Sequence, residues 1–195
     1  MGRDQHRFTT FGVFPAAWAA IGHPHIISVV AGIAVGAWYG CTAPDWLELP
    51  MKPARVTDRR TGRQFWKRRS VIPHRTVTHW WVIWLVAGVA IWHGIHMSII
   101  DWLPVQQRWR DGWHLATMAE AGSIGFLSGV ACHLICDLPN PSGIPLLTPW
   151  HRVSLHGWRS GDQASNWVVA GLVAGSGLLV AASSAGLGEI FRAVL

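Results

Sequence analysis

The chain has 195 residues, of which 50% are hydrophobic and 13% are charged, about half the charged share of a typical soluble protein. Its net charge is +6, and many of its 14 tryptophans stand where an apolar run meets a polar one, as aromatics at a membrane interface do. This composition excludes an ordinary soluble domain, and the clustering of the basic residues argues against a nucleic-acid partner. We therefore expect one membrane-embedded domain over residues 1–195, surrounded by membrane lipid.

Five apolar segments follow one another along the chain. They cover residues 8–21, 26–43, 77–100, 113–135 and 167–187. The first is shorter than the roughly 20 residues that cross a bilayer and contains Pro15, so it either spans at a thin point or re-enters. In the last segment, Gly171, Gly175 and Gly177 predict a small-residue packing face. The predicted fold is all-α, a polytopic bundle of four to five hydrophobic helices.

The loop over residues 51–75 is strongly basic, since it holds nine of the 16 lysines and arginines. Such a loop stays in the cytoplasm, although its sequence does not decide whether it contains a short helix. Threading the later segments from this loop brings polar residues that are distant in sequence to the cytoplasmic ends of the helices. This convergence favours a functional site over scattered packing residues. The residues concerned include Asp45, His74, His79, His133 and Asp137.

His133 and Asp137 are four residues apart at the end of an apolar segment, so in a helix they lie one turn apart on the same face. An imidazole and a carboxylate placed in this way can share a cation. The alternative is a carboxylate at a helix end with a hydrogen-bonded histidine. Nearby, we interpret Cys132 and Cys136 as small core residues, and metal ligation by either thiol is the alternative.

A second motif lies where the basic loop enters the next apolar segment. His74 and His79 flank this entry and can bind one ion, while Arg75 between them can hold an anionic group. The alternative is a helix cap with interfacial histidines. Asp45 and Glu48 follow an earlier segment end and offer a further ligand and a general base.

Together these motifs resemble the YdjM-like bacterial inner-membrane proteins, a family described as metal-dependent hydrolases. The family pattern has an aspartate after a proline, an HRxxTH box, then H-x3-D followed by a TPxGxPLLxP loop, and the resemblance covers about residues 26–166. Two features depart from the pattern: Leu47 and Glu48 stand where the family usually has an aspartate and a histidine, and His6 is displaced from an N-terminal histidine position. The matching residues are Asp45, His74, Arg75, Thr78, His79, His133, Asp137, Pro141, Gly143, Pro145 and Pro149.

The resemblance and the motifs together lead to the hypothesis of a metal-dependent hydrolase in the bacterial inner membrane, with its site facing the cytoplasm. The substrate would be an ester or phosphoester of lipid-like character, held by Arg75 and Arg152, and Glu48 would take the proton. The share of imidazoles favours zinc as the divalent ion. Its predicted ligands are Asp45, His74, His79, His133 and Asp137.

Two other functions remain open on the sequence. The same ligands could form an ion or haem site in a binding or transport protein, although haem needs two imidazoles on opposite sides of a ring. Alternatively, the histidines pack structurally and the basic loop docks anionic lipid or a partner of a membrane assembly.

Overall fold

The computed structural model of the chain describes residues 2–21, 27–46, 48, 50–57, 61–72, 75–96, 115–157 and 162–194. These residues are mostly helical, as the sequence predicts. The helices are α1 (Arg3–Phe8), α2 (Thr10–Ala20), α3 (Ile27–Gly40), α4 (Ala43–Trp46), α5 (Trp81–His96), α6 (Leu115–Asp137) and α7 (Gln163–Val194), with a 3-10 helix at Val77–His79. The strands are β1 (Pro50–Thr57), β2 (Gln64–Ser70), β3 (Ile144–Pro145) and β4 (Arg152–Val153).

Two of the described helices are long and apolar enough to cross a membrane, through Met118–Asp137 in α6 and Gln163–Ser184 in α7. The apolar stretches Ile27–Gly40 in α3 and Trp81–Ile91 in α5 are shorter. Helix α2 has 11 residues, so at about 1.5 Å per residue it is shorter than the roughly 30 Å hydrocarbon layer. Each predicted apolar segment thus corresponds to a helix, and the lengths differ.

Helices α3 and α6 pack backbone against backbone along a seam of glycines. A Cβ atom at Gly36 would collide with the backbone of Gly122 and Phe126, and one at Gly125 would collide with the backbone of Ile33. Small residues permit this close approach, which gives helices in a membrane their van der Waals contact. The seam fixes the end of α3 beside the end of α6.

Of the three glycines that the sequence predicts as a packing face of α7, one packs against a neighbouring helix. Gly177 lies against the backbone of Gly12 in α2, whereas Gly171 and Gly175 have no neighbouring atom within 4 Å of a Cβ position among the described residues. The prediction is therefore wrong for Gly171 and Gly175. These two glycines lie on a side of α7 that no described helix covers.

The basic loop forms a β-hairpin, so the all-α prediction is wrong at this point. Strands β1 and β2 are antiparallel, with Arg55 opposite Trp66 and the arginine 5.5 Å above the indole ring. Gly62 has a φ of +67° in the connection, a conformation that glycine adopts at little cost. Turn chemistry and cross-strand pairs, rather than hydrophobic periodicity, determine the structure here.

The segment after α6 folds back over the helix ends. The short strands β3 and β4 pair there, and Gly143, with a φ of +62°, leaves no room for a side chain beside the carbonyl of Val153. The indole of Trp81, at the start of α5, donates to the Leu146 carbonyl at 2.8 Å. Beneath lies a buried apolar cluster that holds the ends of α4, α5 and α6 together. Its members are Ala43, Trp84, Val130, Leu134 and Ile144.

Candidate metal centre

His133 is a fully buried residue in the last turns of α6, and a hydrogen bond fixes its ring. Its Nδ1 lies 2.8 Å from the backbone carbonyl oxygen of Cys41, just beyond α3. Because a carbonyl only accepts hydrogen bonds, the proton is on Nδ1 and Nε2 carries a lone pair. Nε2 faces the interior of the cluster.

His79 is also fully buried and ends the 3-10 helix. On one side of the ring, Nδ1 lies 3.0 Å from the Thr78 hydroxyl and 3.6 Å from a Glu48 carboxylate oxygen. On the other side, Nε2 lies 3.3 Å from Nε2 of His133. A carboxylate beside Nδ1 holds the proton there and leaves Nε2 as an electron-pair donor, an arrangement found around metal-binding histidines.

Asp45 closes the cluster from helix α4. Its Oδ1 lies 3.7 Å from Nε2 of His79 and 3.9 Å from Nε2 of His133. Burial raises the pKa of this carboxyl, and the nearby imidazoles of His6 and His79 counteract that rise. With 19% of its side chain exposed, Asp45 is more accessible than the two histidines.

Asp137 lies at the end of α6 and is shared among several partners. Its Oδ2 accepts from the guanidinium of Arg75 at 2.9 Å and lies 3.5 Å from Nε2 of His79 and 3.8 Å from Nε2 of His133. The other oxygen, Oδ1, lies 3.5 Å from Nε2 of His6. Asp137 therefore contacts every imidazole of the cluster.

Arg75 is buried and connects the cluster to the loop that follows α6. Besides Asp137, its guanidinium donates to the Ser142 hydroxyl, and its backbone N–H donates to Glu48 at 3.4 Å. Its φ of 57° lies in the left-handed region, which is uncommon for a residue with a side chain. These contacts place Arg75 between the carboxylates of Glu48 and Asp137.

His6 belongs to the cluster, contrary to the expectation that it is displaced from the site. Its ring stacks on that of His133 at a centroid distance of 3.8 Å. It is fully buried, and neither ring nitrogen has a hydrogen-bond partner among the described residues. Burial lowers the pKa of His6, so the neutral, electron-donating ring is favoured.

Helix α1 brings His6 into the cluster, which the sequence does not predict. Residues 1–7 look like a polar tail, yet α1 is followed after Thr9 by α2, and Gln5 donates to the Gln163 side chain of α7 at 2.8 Å. The available signal is helical spacing, because His6 lies seven residues before the buried Val13 and thus shares its face.

The spacing of these ligand atoms suits a small cation. Among the described residues, two groups have ligand atoms that all lie within 4.8 Å of one another: His6, His133 and Asp137, and Asp45, His79 and His133. Ligands about 2.0–2.1 Å from a tetrahedral zinc ion are separated by about 3.3 Å from each other. The distance of 3.3 Å between the two Nε2 atoms fits that value. Nε2 of buried His6 has only the Asp137 carboxylate nearby, at 3.5 Å, so this nitrogen can also serve as a ligand.

In the comparison with protein families, the chain matches the YdjM inner membrane protein family over residues 1–192. The chain belongs to this family. No curated protein and no solved structure matches the chain. The match confirms the resemblance noted in the sequence, and the two long apolar helices agree with an inner membrane protein.

The remaining predicted site residues of this YdjM-family chain differ in position. Glu48 lies beside His79, as described above. Arg152 is exposed on β4, opposite Pro145. His74 lies outside the described residues. Two of the thiols, those of Cys132 and Cys136, have sulfur atoms 4.0 Å apart, and the two candidate cation groups contain no cysteine.

Proposed function

We propose that this YdjM-family chain is a multi-pass protein of the bacterial inner membrane and a metal-dependent hydrolase whose site faces the cytoplasm. Its substrate is an ester or phosphoester of lipid-like character, and its cofactor is a divalent ion, zinc. The proposed ligands come from two overlapping groups, His6, His133 and Asp137 or Asp45, His79 and His133, and the sequence predicts His74 as a further ligand.

One observation carries this proposal. The Nε2 atoms of His79 and His133 point at each other across 3.3 Å, while other groups occupy the Nδ1 side of both rings. With the proton on Nδ1 of each ring, the two Nε2 lone pairs repel each other unless a cation lies between them, and two carboxylates add negative charge on the same side. Three imidazoles in the set favour zinc over calcium or magnesium, which prefer oxygen ligands.

A bound zinc ion supplies Lewis acidity and lowers the pKa of bound water. The chain's own residues prepare the site for this chemistry. The Cys41 carbonyl orients His133, Glu48 orients His79, and Arg75 neutralises one oxygen of Asp137. Among the proposed ligands that the structure describes, Asp45 is the most exposed, so substrate approaches from its side.

Two sequence-based roles stay predictions. The sequence predicts Glu48 as the proton acceptor. Its position beside Nδ1 of His79 instead supports a role in orienting that ring. Arg75 and Arg152 as holders of a substrate anion differ in availability, since Asp137 and Ser142 engage the guanidinium of Arg75 and Arg152 is exposed.

A non-catalytic metal site is the second candidate, in a binding, transport or assembly protein. The observation in its favour is enclosure, because His6, His79 and His133 are each 0% exposed. A haem site fits poorly, because the carboxylates of Asp45 and Asp137 lie within 3.9 Å of both Nε2 atoms and occupy the space that a macrocycle would need. Turnover of substrate distinguishes the enzyme from this alternative.

Metal analysis of the purified protein tests the proposal. We expect bound zinc in the unaltered chain, its loss in His133→Ala, and its retention in His151→Ala, a matched change at an exposed histidine. Chromogenic carboxylic esters and phosphodiesters are then offered to the zinc-loaded protein. Zinc binding without hydrolysis of either class supports the non-catalytic site, and equal zinc in all three proteins overturns both candidates.

A further inference from the structure

An apolar groove runs along the outside of the bundle between α3, α5 and α6. Its volume is about 300 Å³, at the lower end of the roughly 300–1,000 Å³ of ligand pockets. Gly32, Gly36 and Gly122 line its floor, where the backbones of α3 and α6 pack closely against each other.

The walls of the groove come from three helices and are almost entirely apolar. Val35 and Ile91 form two of its edges, and 48% and 43% of these residues are exposed. The polar Ser123 lies in the wall, but its hydroxyl donates to the Ala119 carbonyl at 2.8 Å. The groove thus offers contact surface to a hydrocarbon and little to a polar ligand.

The groove has the length and position of a lipid tail. From Phe126 to Met118 it extends eight residues along α6, about 12 Å, against about 15 Å for the hydrocarbon half of one leaflet. Phe126 is seven residues, about 10 Å, before His133 in the same helix. One end therefore lies near the candidate metal centre and the other lies deeper in the membrane.

An aromatic pair connects the near end of the groove to the metal centre. Tyr39 lines the groove and contacts Trp46 edge to face, with ring centroids 5.2 Å apart. Trp46 follows the proposed ligand Asp45, and both aromatic rings are partly exposed, as at a membrane interface. A tail in the groove can therefore continue past this pair to a head at the exposed side of Asp45.

We propose that this groove binds an acyl chain of a membrane lipid and presents the lipid's ester or phosphoester group to the metal centre. The proposal rests on the proposed function for the head group, because the groove itself recognises the tail. It identifies the lipid-like substrate as one with a long acyl chain, oriented with its terminal methyl group toward Met118 and Gly32.

Photo-cross-linking in lipid nanodiscs tests the binding. The probe is a phosphatidylglycerol with a diazirine either at the end of an acyl chain or near its carbonyl group, and adducts are mapped by mass spectrometry. We expect the terminal probe to label the Met118 end and the carbonyl-proximal probe to label the Tyr39 end. Adducts spread equally over the groove and the exposed face of α7 would overturn the proposal.

Groove-filling variants provide the matched comparison. Each methylene excluded from an apolar site weakens binding about fourfold, so an indole in the groove should reduce labelling by about tenfold or more. We expect this loss in Val35→Trp and Ala119→Trp and not in Leu172→Trp, which changes an exposed residue of α7. Equal labelling of all three variants and the unaltered chain would exclude the groove.

The same reagents separate this proposal from the hydrolase proposal. In His133→Ala, ordered labelling should persist while zinc and hydrolysis are lost, because the groove lies below the metal centre. Ordered labelling without any hydrolysis would support lipid binding in the groove and contradict the hydrolase proposal. In the converse outcome, Val35→Trp raises the KM of a long-chain ester no more than that of a short-chain ester. That result would support hydrolysis but contradict binding of the substrate's acyl chain in the groove.

Discussion

The two ring nitrogens of His79 have different neighbours, and this difference indicates a role for Glu48 in orienting the ring. Its carboxylate lies 3.6 Å from Nδ1, on the side opposite the proposed ligands, and also accepts from the backbone of Arg75. A carboxylate in this position orients the ring as a ligand. We therefore expect Glu48 to act as a positioning residue for His79.

Replacing Glu48 by glutamine should weaken zinc binding without abolishing it. Loss of such an outer partner costs about 10–100-fold in metal affinity. Competition with a chromogenic chelator measures the affinity, and Asp162→Asn, at the start of α7, is the acid-to-amide control. An unchanged affinity in Glu48→Gln would show that the carboxylate does not support His79.

Asp45 should destabilise the metal-free protein at neutral pH. Burial raises its pKa, so the folded state binds its proton more tightly than the unfolded state, and stability falls as pH rises from about 4 through the raised pKa. Asp45→Asn removes this dependence. With a chelator present, we expect its Tm to exceed that of the unaltered chain at pH 8 and to differ less at pH 5.

If Asp45 is a ligand, zinc should make the Tm of the unaltered chain higher than that of Asp45→Asn. The ion binds the folded state, so it should raise the Tm of the unaltered chain more than that of Asp45→Asn. Equal Tm increases for both would count against ligation by Asp45.

The sequence predicts the cluster residues that follow helix-end motifs, because their spacing restricts where they can lie. His133 and Asp137 share a helix face, and Asp45 and His79 adjoin apolar segments whose ends meet. The role of Arg75 beside Asp137 and the placement of His6 depend on tertiary contacts between distant segments. No local pattern encodes those contacts.

At the level of elements, α3 and α6 depend on each other through their glycines. Because the two backbones touch, a single methyl group at the seam has no space to occupy. The groove floor and the placement of Cys41 beside His133 both depend on this contact.

Gly36→Ala should therefore destabilise the protein, whereas Gly171→Ala should not. The first adds a methyl group against the backbone of Gly122, at a cost of about 1–3 kcal/mol for overpacking. The second adds it in open space and gains helix propensity, up to about 1 kcal/mol. Thermal unfolding in one detergent compares them, and equal losses of Tm would contradict the seam.

Sequence periodicity predicts the helices well and the other elements poorly. The five apolar segments correspond to α2, α3, α5, α6 and α7, since continuous apolar runs leave few alternatives. The hairpin of β1 and β2 was not predicted because its basic residues mask the alternation of apolar and polar side chains. Strands β3 and β4 are each two residues long, which is too short to show such an alternation. Positive-φ glycines, which shape both, have no hydrophobic signature.

At the scale of the whole molecule, the described cluster residues other than His6 lie at or near the helix ends that adjoin the basic hairpin. Asp45 precedes the hairpin, Arg75 and His79 follow it, and His133 and Asp137 end α6 beside them. The positive-inside rule then predicts that the candidate metal centre and the hairpin share one side of the membrane, the cytoplasm.

Cysteine labelling at Arg63, an exposed hairpin residue, tests this orientation. In intact spheroplasts we expect Arg63→Cys to resist a membrane-impermeant maleimide, and to react once the membrane is permeabilised. The unaltered chain, whose Cys41 and Cys136 are buried, gives the background. Reaction before permeabilisation would place the hairpin outside and reverse the proposed topology.

The stacking of His6 on His133 has a consequence for how the protein matures. The ribosome synthesises position 6 long before position 133, yet the two rings share one buried contact. If the cluster holds zinc as proposed, loading must wait until α6 has left the translocation machinery, and α1 must stay available for docking during that time. An arrested nascent chain that ends before α6 should emerge without zinc, and release from arrest should restore uptake.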